Sequence, residues 1–326
     1  MGKIFLKKID YYLPKKIEKN INVLKSAGKN NVDSLNIIEK IGIKQRRVTN
    51  NKEFSNDLGI KAAKKILRNF NKNNIDFLIY CTNTPDYLLP SNSCLIHHKL
   101  NLKPNTGAFD IILACSGYLY ALSLAKSLIK SNEAKNVLLI TSDTYSKFIP
   151  LNDSKNRILF GDGASCTLIT NKISKGTYEI CNSIHGTDGK NFNYAIMKNF
   201  GNKYRNSKIK KDNFLFLDGP GLYNFALKKI PGQLKIFLKK NKLKLSQIDY
   251  FVFHQANKFM LDGIQKIMNI PKNKMIIDMG TIGNTTSSSI PIALKKNEKK
   301  FKKNDKILLT AFGGGLSWAI TLIKKN

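Results

Sequence analysis

Short apolar runs alternate with longer amphipathic stretches along this chain. Two of the runs, at 75–81 and 248–254, begin with Ile-Asp and are bounded by polar residues. Continuous apolar runs of this length are typical of strands buried on both faces of a sheet. The stretches at 58–70 and 222–240 carry an apolar residue every three or four positions, which predicts helices. Alternating strands and helices indicate an α/β fold in which helices pack on a sheet.

Three segments of the first half recur in the same order in the second half, which indicates an internal duplication. The matched pairs are 75–81 with 248–254, 108–115 with the strand expected at 275–280 and the turn at Asn284, and 160–165 with 312–317. In the second pair a strand is expected to run into a helix, at 116–129 or 287–295. In the third pair a glycine turn precedes a closing strand, at 166–170 or 318–323. Two duplicated βαβαβαββ-type halves, 1–172 and 173–326, imply a five-layered α-β-α-β-α sandwich.

The formal net charge is +33, from 55 Lys and Arg against 22 Asp and Glu. Such a charge raises nucleic acid as a partner, since basic side chains neutralise phosphates. Two alternatives compete with nucleic-acid binding. The lysines are scattered among many Asn and Ile residues, as on a solvated surface encoded by an AT-rich genome, and a basic surface also steers an acidic carrier protein. No aromatic-basic platform or helix-turn-helix pattern supports nucleic-acid binding, so we predict none.

Other bulk features limit the class of protein. The 326 residues, 42% of them hydrophobic, suffice for a substantial core. No apolar run approaches the roughly 18 residues of a membrane-spanning helix, and lysines interrupt the first residues where a secretory signal would be apolar. The five cysteines form no Cys-x-x-Cys pair, which indicates neither a disulfide framework nor a zinc site. We expect a cytoplasmic protein that neither inserts into a membrane nor needs a metal.

Three polar residues fall at strand ends that the duplication places side by side. Cys115 follows a predicted buried strand and opens a predicted helix, whose first turn favours the thiolate that a nucleophile needs. His254 ends a strand, and Asn284 lies in a turn. Each alone has an ordinary structural role, as a buried thiol, a hydrogen-bonded histidine or a turn residue. Together they predict a thiol facing two neutral hydrogen-bond donors, which suits decarboxylative carbon–carbon bond formation on thioesters.

Four motifs resemble those of the β-ketoacyl-acyl-carrier-protein synthase III family. They are Ala-Cys-Ser-Gly-Tyr at 114–118, His-Gln-Ala-Asn at 254–257, Gly-Asn-Thr at 283–285 and Phe-Gly-Gly-Gly-Leu-Ser-Trp at 312–318. Further matches at 42–47, 84–86 and 160–164 extend the resemblance over nearly the whole chain. It implies the thiolase fold, a homodimer and an acyl carrier protein as partner. It also implies that Asn284, in place of a second cysteine, a second histidine or a glutamate, marks decarboxylative condensation.

The reaction that the resemblance implies has two stages. Cys115 attacks an acyl thioester while the backbone N–H groups of Cys115 and Gly314 hold the oxyanion. A malonyl unit on acyl carrier protein then loses carbon dioxide, His254 and Asn284 stabilise the enolate, and its attack on the acyl-cysteine gives a β-ketoacyl thioester. No cofactor is expected, because the substrates are thioesters of coenzyme A or of a phosphopantetheinyl carrier protein. The alternative is an acyltransferase on the same fold, in a polysaccharide or secondary-metabolite pathway, that passes the acyl group to an amine, hydroxyl or sugar without decarboxylation.

Motif position in the family also suggests substrate-binding residues. The resemblance places Tyr223, Asn257 and Phe312 along the pantetheine channel. It places Leu89 across the homodimer interface, either at the end of the acyl pocket or in the dimer core.

Family residues that contact coenzyme A are replaced in this chain. A tryptophan of the family aligns with Asn36, and two arginines align with Lys40 and Ser154. Such changes remove ring stacking and bidentate phosphate contacts. They favour a carrier-bound acyl donor or a specialised pathway over coenzyme A as the donor.

Overall fold

The computed structural model describes residues 2–204 and 208–326. The strands in this part of the chain are β1 (Phe5–Tyr12), β2 (Lys16–Lys19), β3 (Gln45–Val48), β4 (Phe77–Cys81), β5 (Gly107–Ile111), β6 (Asn136–Asp143), β7 (Gly163–Thr170), β8 (Tyr178–Thr187), β9 (Ala195–Ile196), β10 (Phe216–Leu217), β11 (Tyr250–Phe253), β12 (Met275–Ile276), β13 (Lys306–Gly313) and β14 (Ser317–Lys325). The helices are α1 (Asn20–Ser26), α2 (Asn31–Ile41), α3 (Ser55–Leu67), α4 (Asn92–Leu100), α5 (Gly117–Lys130), α6 (Ser154–Arg157), α7 (Gly219–Lys240), α8 (Lys258–Met268) and α9 (Ser289–Lys296). Short 3-10 helices occupy several of the connections. No helix in the described ranges is both long and apolar enough to cross a bilayer.

The main sheet repeats one strand order in its two halves. The first half runs β5-β4-β6-β7-β1, and the second runs β12-β11-β13-β14-β8. In each half the first two pairings are parallel and the last two are antiparallel. The halves meet where Phe5 and Leu6 pair with Glu179 and Tyr178. The predicted duplication is therefore visible in the topology, and residues 172 and 173 lie in the connection between β7 and β8.

Three apolar interiors hold five layers together, and the central interior packs both halves of the sheet against the helices between them. The central one contains Leu122 of α5 and Ala293 of α9, and these two helices contact strands of both halves of the sheet. A second interior packs α3 and α4 on the first half of the sheet, and a third packs α7 and α8 on the second half. Each large apolar side chain buried in these interiors contributes about 1.5–3 kcal/mol. This is the predicted α-β-α-β-α sandwich, with the two helices that follow Cys115 and Asn284 in its middle layer.

The segment 275–280 departs from its prediction. A strand was expected over the whole segment, but β12 ends at Ile276. The side chain of Gln255 takes over the backbone pairing there, because its amide donates to the Ile276 carbonyl at 3.2 Å and accepts from the Asp278 N–H at 2.6 Å. The chain is thereby turned away from the sheet edge and back towards the turn at Asn284.

Candidate active site

A cavity of about 720 Å³ lies at the carboxyl ends of the central strands of the two halves. Part of its lining comes from residues that follow β4, β5 and β11, from the end of β13, and from Asn284 in the turn before α9. Ligands of α/β proteins commonly bind at this end of a sheet. Cys115, His254 and Asn284, which are far apart in sequence, all line this one cavity.

Cys115 lies between β5 and α5, one residue before the helix N-cap Ser116. A glycine must face it, because a Cβ on Gly313 would lie only 2.8 Å from the Cys115 Cβ and 3.0 Å from its Sγ. The hydroxyls of Ser116 and Ser317 are 2.7 Å apart, and Ser317 donates to the Gly314 carbonyl at 3.0 Å. This buried chain of hydrogen bonds fixes the glycine turn of the second half beside the thiol of the first.

Burial opposes ionisation of the Cys115 thiol. One side of the residue faces the cavity, but protein encloses the rest, and this burial, with a smaller contribution from the charge of Asp143, raises its pKa from 9.0 to about 12. A helix N-terminus stabilises an anion by at most about 2 kcal/mol, or about 1.5 in pKa. The helix therefore offsets only part of the effect of burial. The effect of the helix N-terminus on the Cys115 thiol is thus opposed by burial, which the sequence alone does not reveal.

His254 directly follows β11 and continues its pairing, because its N–H donates to the Thr310 carbonyl at 2.8 Å. Its Nδ1 lies 2.8 Å from the hydroxyl oxygen of Ser289 at the start of α9. The same oxygen accepts the N–H of Gln255 at 3.2 Å. Burial lowers the pKa of His254 to about 3, which a backbone hydrogen bond to Thr286 opposes only in part. The imidazole is therefore neutral at physiological pH.

Asn284 is 6% exposed and is fixed on three sides. Its N–H donates to the Leu159 carbonyl at 2.8 Å, and its carbonyl accepts from the N–H of Gly161 at 3.0 Å. Its side-chain oxygen accepts the N–H of Thr286 at 2.9 Å. Since the oxygen is engaged by the backbone, the NH₂ group is the end of the amide that remains for a ligand.

The buried carboxylate of Asp143, at the end of β6, holds the turn that follows Asn284. It accepts hydrogen bonds from the hydroxyls of Thr286 and Ser287, and the backbone N–H of Asn83 donates to it at 2.7 Å. Burial raises its pKa to about 6, although these hydrogen bonds favour the ionised form. Sequence reasoning missed this residue, because nothing in the local pattern distinguishes it from any other polar residue at a strand end.

Of the four substrate-binding residues suggested by motif position, three line the cavity and one does not. Tyr223, Asn257 and Phe312 line the cavity. Leu89 does not line it, and its side chain is 88% exposed on the single chain. Asn257 also caps α8, since its side chain accepts the Met260 N–H at 2.9 Å.

The three positions that replace coenzyme A contacts also differ in placement. Lys40 lines the cavity and lies over the ring of Phe259, 4.5 Å from its centroid. Phe259 in turn stacks on Tyr223 at 4.8 Å between ring centroids. Asn36 is exposed and, like Ser154, does not contribute to the lining.

Sequence reasoning missed much of the cavity wall, including Asn83, Tyr145 and Phe160. Phe160 lies in a matched motif but was not considered as a site residue, whereas Asn83 and Tyr145 lie outside the matched motifs. The rings of Tyr145 and Phe160 stack at 5.1 Å between centroids. Across residues 2–204 and 208–326, no group of three or more His, Cys, Asp or Glu is placed to hold a metal ion.

The fold and the site together define the class of thiolase-fold acyl-transferring enzymes. Family models described as 3-oxoacyl-[acyl-carrier-protein] synthase III and as the C-terminal region of that enzyme match residues 109–189 and 238–325. A β-ketoacyl-[acyl-carrier-protein] synthase III of Clostridium perfringens is 36% identical over 286 residues, which cover 86% of this chain and 87% of the relative. The corresponding protein of Ehrlichia canis is 33% identical over 320 residues, or 97% of each chain.

Solved structures agree with the sequence relatives. The crystal structure of 3-oxoacyl-[acyl-carrier-protein] synthase III from Aquifex aeolicus superposes with a TM-score of 0.88 at 32% identity, covering 99% of this chain and 100% of that one. The chain belongs to the β-ketoacyl-acyl-carrier-protein synthase III family.

Proposed function

We propose that this enzyme transfers an acyl group to Cys115 and then condenses it with malonyl-acyl-carrier protein, with loss of carbon dioxide, to give a β-ketoacyl thioester. The observation that carries the proposal is the state of two groups, His254 and Asn284, that line the same cavity as the thiol. His254 is neutral, and the amide oxygen of Asn284 is already hydrogen-bonded to Thr286. Among the described residues that line the cavity there is no Asp or Glu to act as a base, and two neutral donors suit an enolate formed by decarboxylation.

The first stage needs a group that stabilises the oxyanion formed when the thiol attacks a thioester. We assign this role to the N–H groups of Cys115 and Gly314, which the Ser116–Ser317 contact holds at the same end of the cavity. Within residues 2–204 and 208–326, neither N–H donates to another backbone carbonyl. Because burial favours the protonated thiol, its proton must leave as the sulfur attacks, and the carrier thiolate that departs from the acyl group takes up a proton in exchange.

The second stage needs donors at the position of the enolate oxygen. The Ser289 hydroxyl accepts the N–H of Gln255, so its own hydrogen is free to donate to Nδ1 of His254. We assign the proton of the neutral imidazole to Nε2 on this basis. Nε2–H of His254 and the NH₂ group of Asn284 then each donate one hydrogen bond to the enolate.

The cavity lining and the charge and apolar groups of the protein surface support proposals for the binding partners. Members of this family act with acyl carrier protein and acyl-coenzyme A, and we propose that the phosphopantetheine arm passes Tyr223, Asn257 and Phe312, which line the cavity. The net charge of +33 favours encounter with an acidic carrier. We also propose a homodimer, because Tyr87, Leu88 and Leu89 form a run of apolar side chains that are 54%, 71% and 88% exposed.

The decisive test separates the two stages. Acylated protein is prepared with a panel of acyl thioesters, followed by intact mass, and then mixed with malonyl-acyl-carrier protein labelled in its free carboxyl. Release of labelled carbon dioxide and formation of the β-ketoacyl carrier are measured together. Acylation without release above background would contradict the proposal and support simple acyl transfer to an amine, hydroxyl or sugar.

Variants assign the roles. Cys115→Ala should abolish the acyl adduct. Asn284→Asp keeps the shape and the acceptor for Thr286 but removes the NH₂ donor, so acylation should persist while carbon dioxide release falls about 10²–10³-fold. Asn31→Asp, at the exposed first position of α2, is the matched control and should leave both stages unchanged.

A further inference from the structure

The cavity wall contains a polar group that neither stage of the reaction uses. The side-chain oxygen of Asn83, in the loop after β4, is buried and has no hydrogen-bond partner among the described residues. Asn83 lines the cavity, and its backbone N–H is tied to Asp143 at 2.7 Å, which fixes the residue in place. A buried amide oxygen without a partner costs free energy, and such a group is ordinarily satisfied by protein, water or ligand.

A second polar group, the hydroxyl of Tyr145, belongs to the same wall. Tyr145 is 6% exposed, lines the cavity and is fixed by stacking on Phe160 with the ring planes 12° apart. The Asn83 side chain interacts with the Tyr145 hydroxyl, and both residues line the same cavity as Cys115. Burial raises the pKa of Tyr145 well above its ordinary value, so the hydroxyl keeps its proton. Asn83 and Tyr145 therefore offer an acceptor and a donor on the wall of the cavity that Cys115 also lines.

The rest of this wall is apolar. Leu159, Met197, Leu215 and Leu217 line the cavity together with Phe160. A plain hydrocarbon acyl group would suit these side chains but would leave the Asn83 oxygen without a partner. Sites built to hydrogen-bond a substrate hydroxyl discriminate strongly against the analogue that lacks it.

We propose that the acyl group carried by Cys115 bears a hydroxyl group, which donates a hydrogen bond to the side-chain amide of Asn83 and accepts one from the hydroxyl of Tyr145. The substrate class is thus a hydroxyacyl thioester. A hydroxyl also fits the amide in its reversed orientation, since it donates and accepts equally well. This inference rests on the proposed function, because it assumes that Cys115 takes up an acyl group from a thioester.

The test measures only the first stage. Second-order rate constants for acylation of Cys115 are determined by intact-mass spectrometry. The acyl groups are butanoyl and both enantiomers of 2-hydroxybutanoyl and of 3-hydroxybutanoyl. Each is presented as a thioester of coenzyme A and of acyl carrier protein. On the wild-type protein one hydroxybutanoyl thioester should react at least about tenfold faster than butanoyl. Equal rates, or faster reaction of butanoyl, would overturn the inference.

Two variants locate the preference. Asn83→Leu replaces the amide by an apolar group of similar shape and should reduce the hydroxybutanoyl preference to about one. Tyr145→Phe removes only a hydroxyl and keeps the ring stack, so it should also lower the preference for the hydroxybutanoyl group. It provides the test if Asn83→Leu does not fold. Asn73→Leu, at an exposed position, is the matched control and should keep the wild-type preference. A preference that persists in both cavity variants would refute the roles of Asn83 and Tyr145.

Failure of this inference is distinguishable from failure of the proposed function. If no thioester of either carrier acylates Cys115, the proposed function itself is wrong. If acylation occurs without preference for a hydroxyl, only the substrate class is wrong. Release of carbon dioxide from malonyl-acyl-carrier protein is then still expected.

Discussion

Replacing Asp143 by asparagine is expected to stabilise the protein at neutral pH relative to wild type, although the residue accepts at least three hydrogen bonds. An asparagine in the same place still accepts the backbone N–H of Asn83 through its oxygen. The hydroxyls of Thr286 and Ser287, which now donate to Asp143, can rotate and accept from the new NH₂ group. The substitution therefore keeps a hydrogen bond to each of these three groups and removes a buried charge.

The magnitude follows from the pKa of the carboxyl group. Burial raises it from 3.8 to about 6, which corresponds to about 3 kcal/mol of differential interaction. The folded state thus binds this proton more tightly than the unfolded state does. The stabilisation it gives is fully present below about pH 4 and is lost as the pH rises through 6. Asparagine does not titrate, so the variant should gain about 2 kcal/mol on wild type between pH 4.5 and pH 7.5.

Urea unfolding of both proteins at these two pH values measures the difference. The titration of His254 is common to both proteins, and Asp262→Asn, at a side chain that is 42% exposed, is the matched control. A difference that does not change with pH would refute the reasoning. The charge of Asp143 also contributes to the raised pKa of Cys115, so the variant thiol should react faster with iodoacetamide at pH 8. An unchanged rate would contradict that coupling.

Two further predictions concern the thiol itself. In wild type, the rate at which iodoacetamide alkylates Cys115, measured by mass spectrometry, should keep rising up to about pH 10, because burial raises the pKa of the thiol to about 12. A plateau of this rate near neutral pH would show that the helix N-terminus outweighs burial. Gly313→Ala places a methyl group 2.8 Å from the Cys115 Cβ and should slow acylation about 10–100-fold at a stability cost of about 1–3 kcal/mol. Gly201→Ala is the control, because a Cβ at that position would have no atom within 4 Å. A normal acylation rate in Gly313→Ala would show that the glycine turn can move enough to accept the methyl group.

The predictability of the site differs from residue to residue. The helix expected at 116–129 is α5 at Gly117–Lys130, and the closing strands expected at 166–170 and 318–323 lie within β7 and β14, although β7 begins at Gly163, inside the expected turn. These features depend on apolar periodicity and on glycine, which are properties of neighbouring residues in the chain. The strand expected over 275–280 was too long, because a side chain from another segment, Gln255, takes the place of a strand partner. Local pattern contains no information about such a long-range contact.

The sequence by itself determined the duplicated α/β fold and the family, and it identified Cys115, His254 and Asn284 as candidate site residues. Repeated motifs and the periodicity of apolar residues are properties of the order of residues in the chain. Only the tertiary structure decided their chemical state. The pKa values of Cys115 and His254 depend on how completely distant segments exclude water from them. The unsatisfied amide of Asn83 and the support that Asp143 gives to the Asn284 turn likewise exist only once β4, β6 and the segment before α9 have come together. Burial and hydrogen-bond satisfaction are properties of the packed molecule, and no local pattern in the chain determines them.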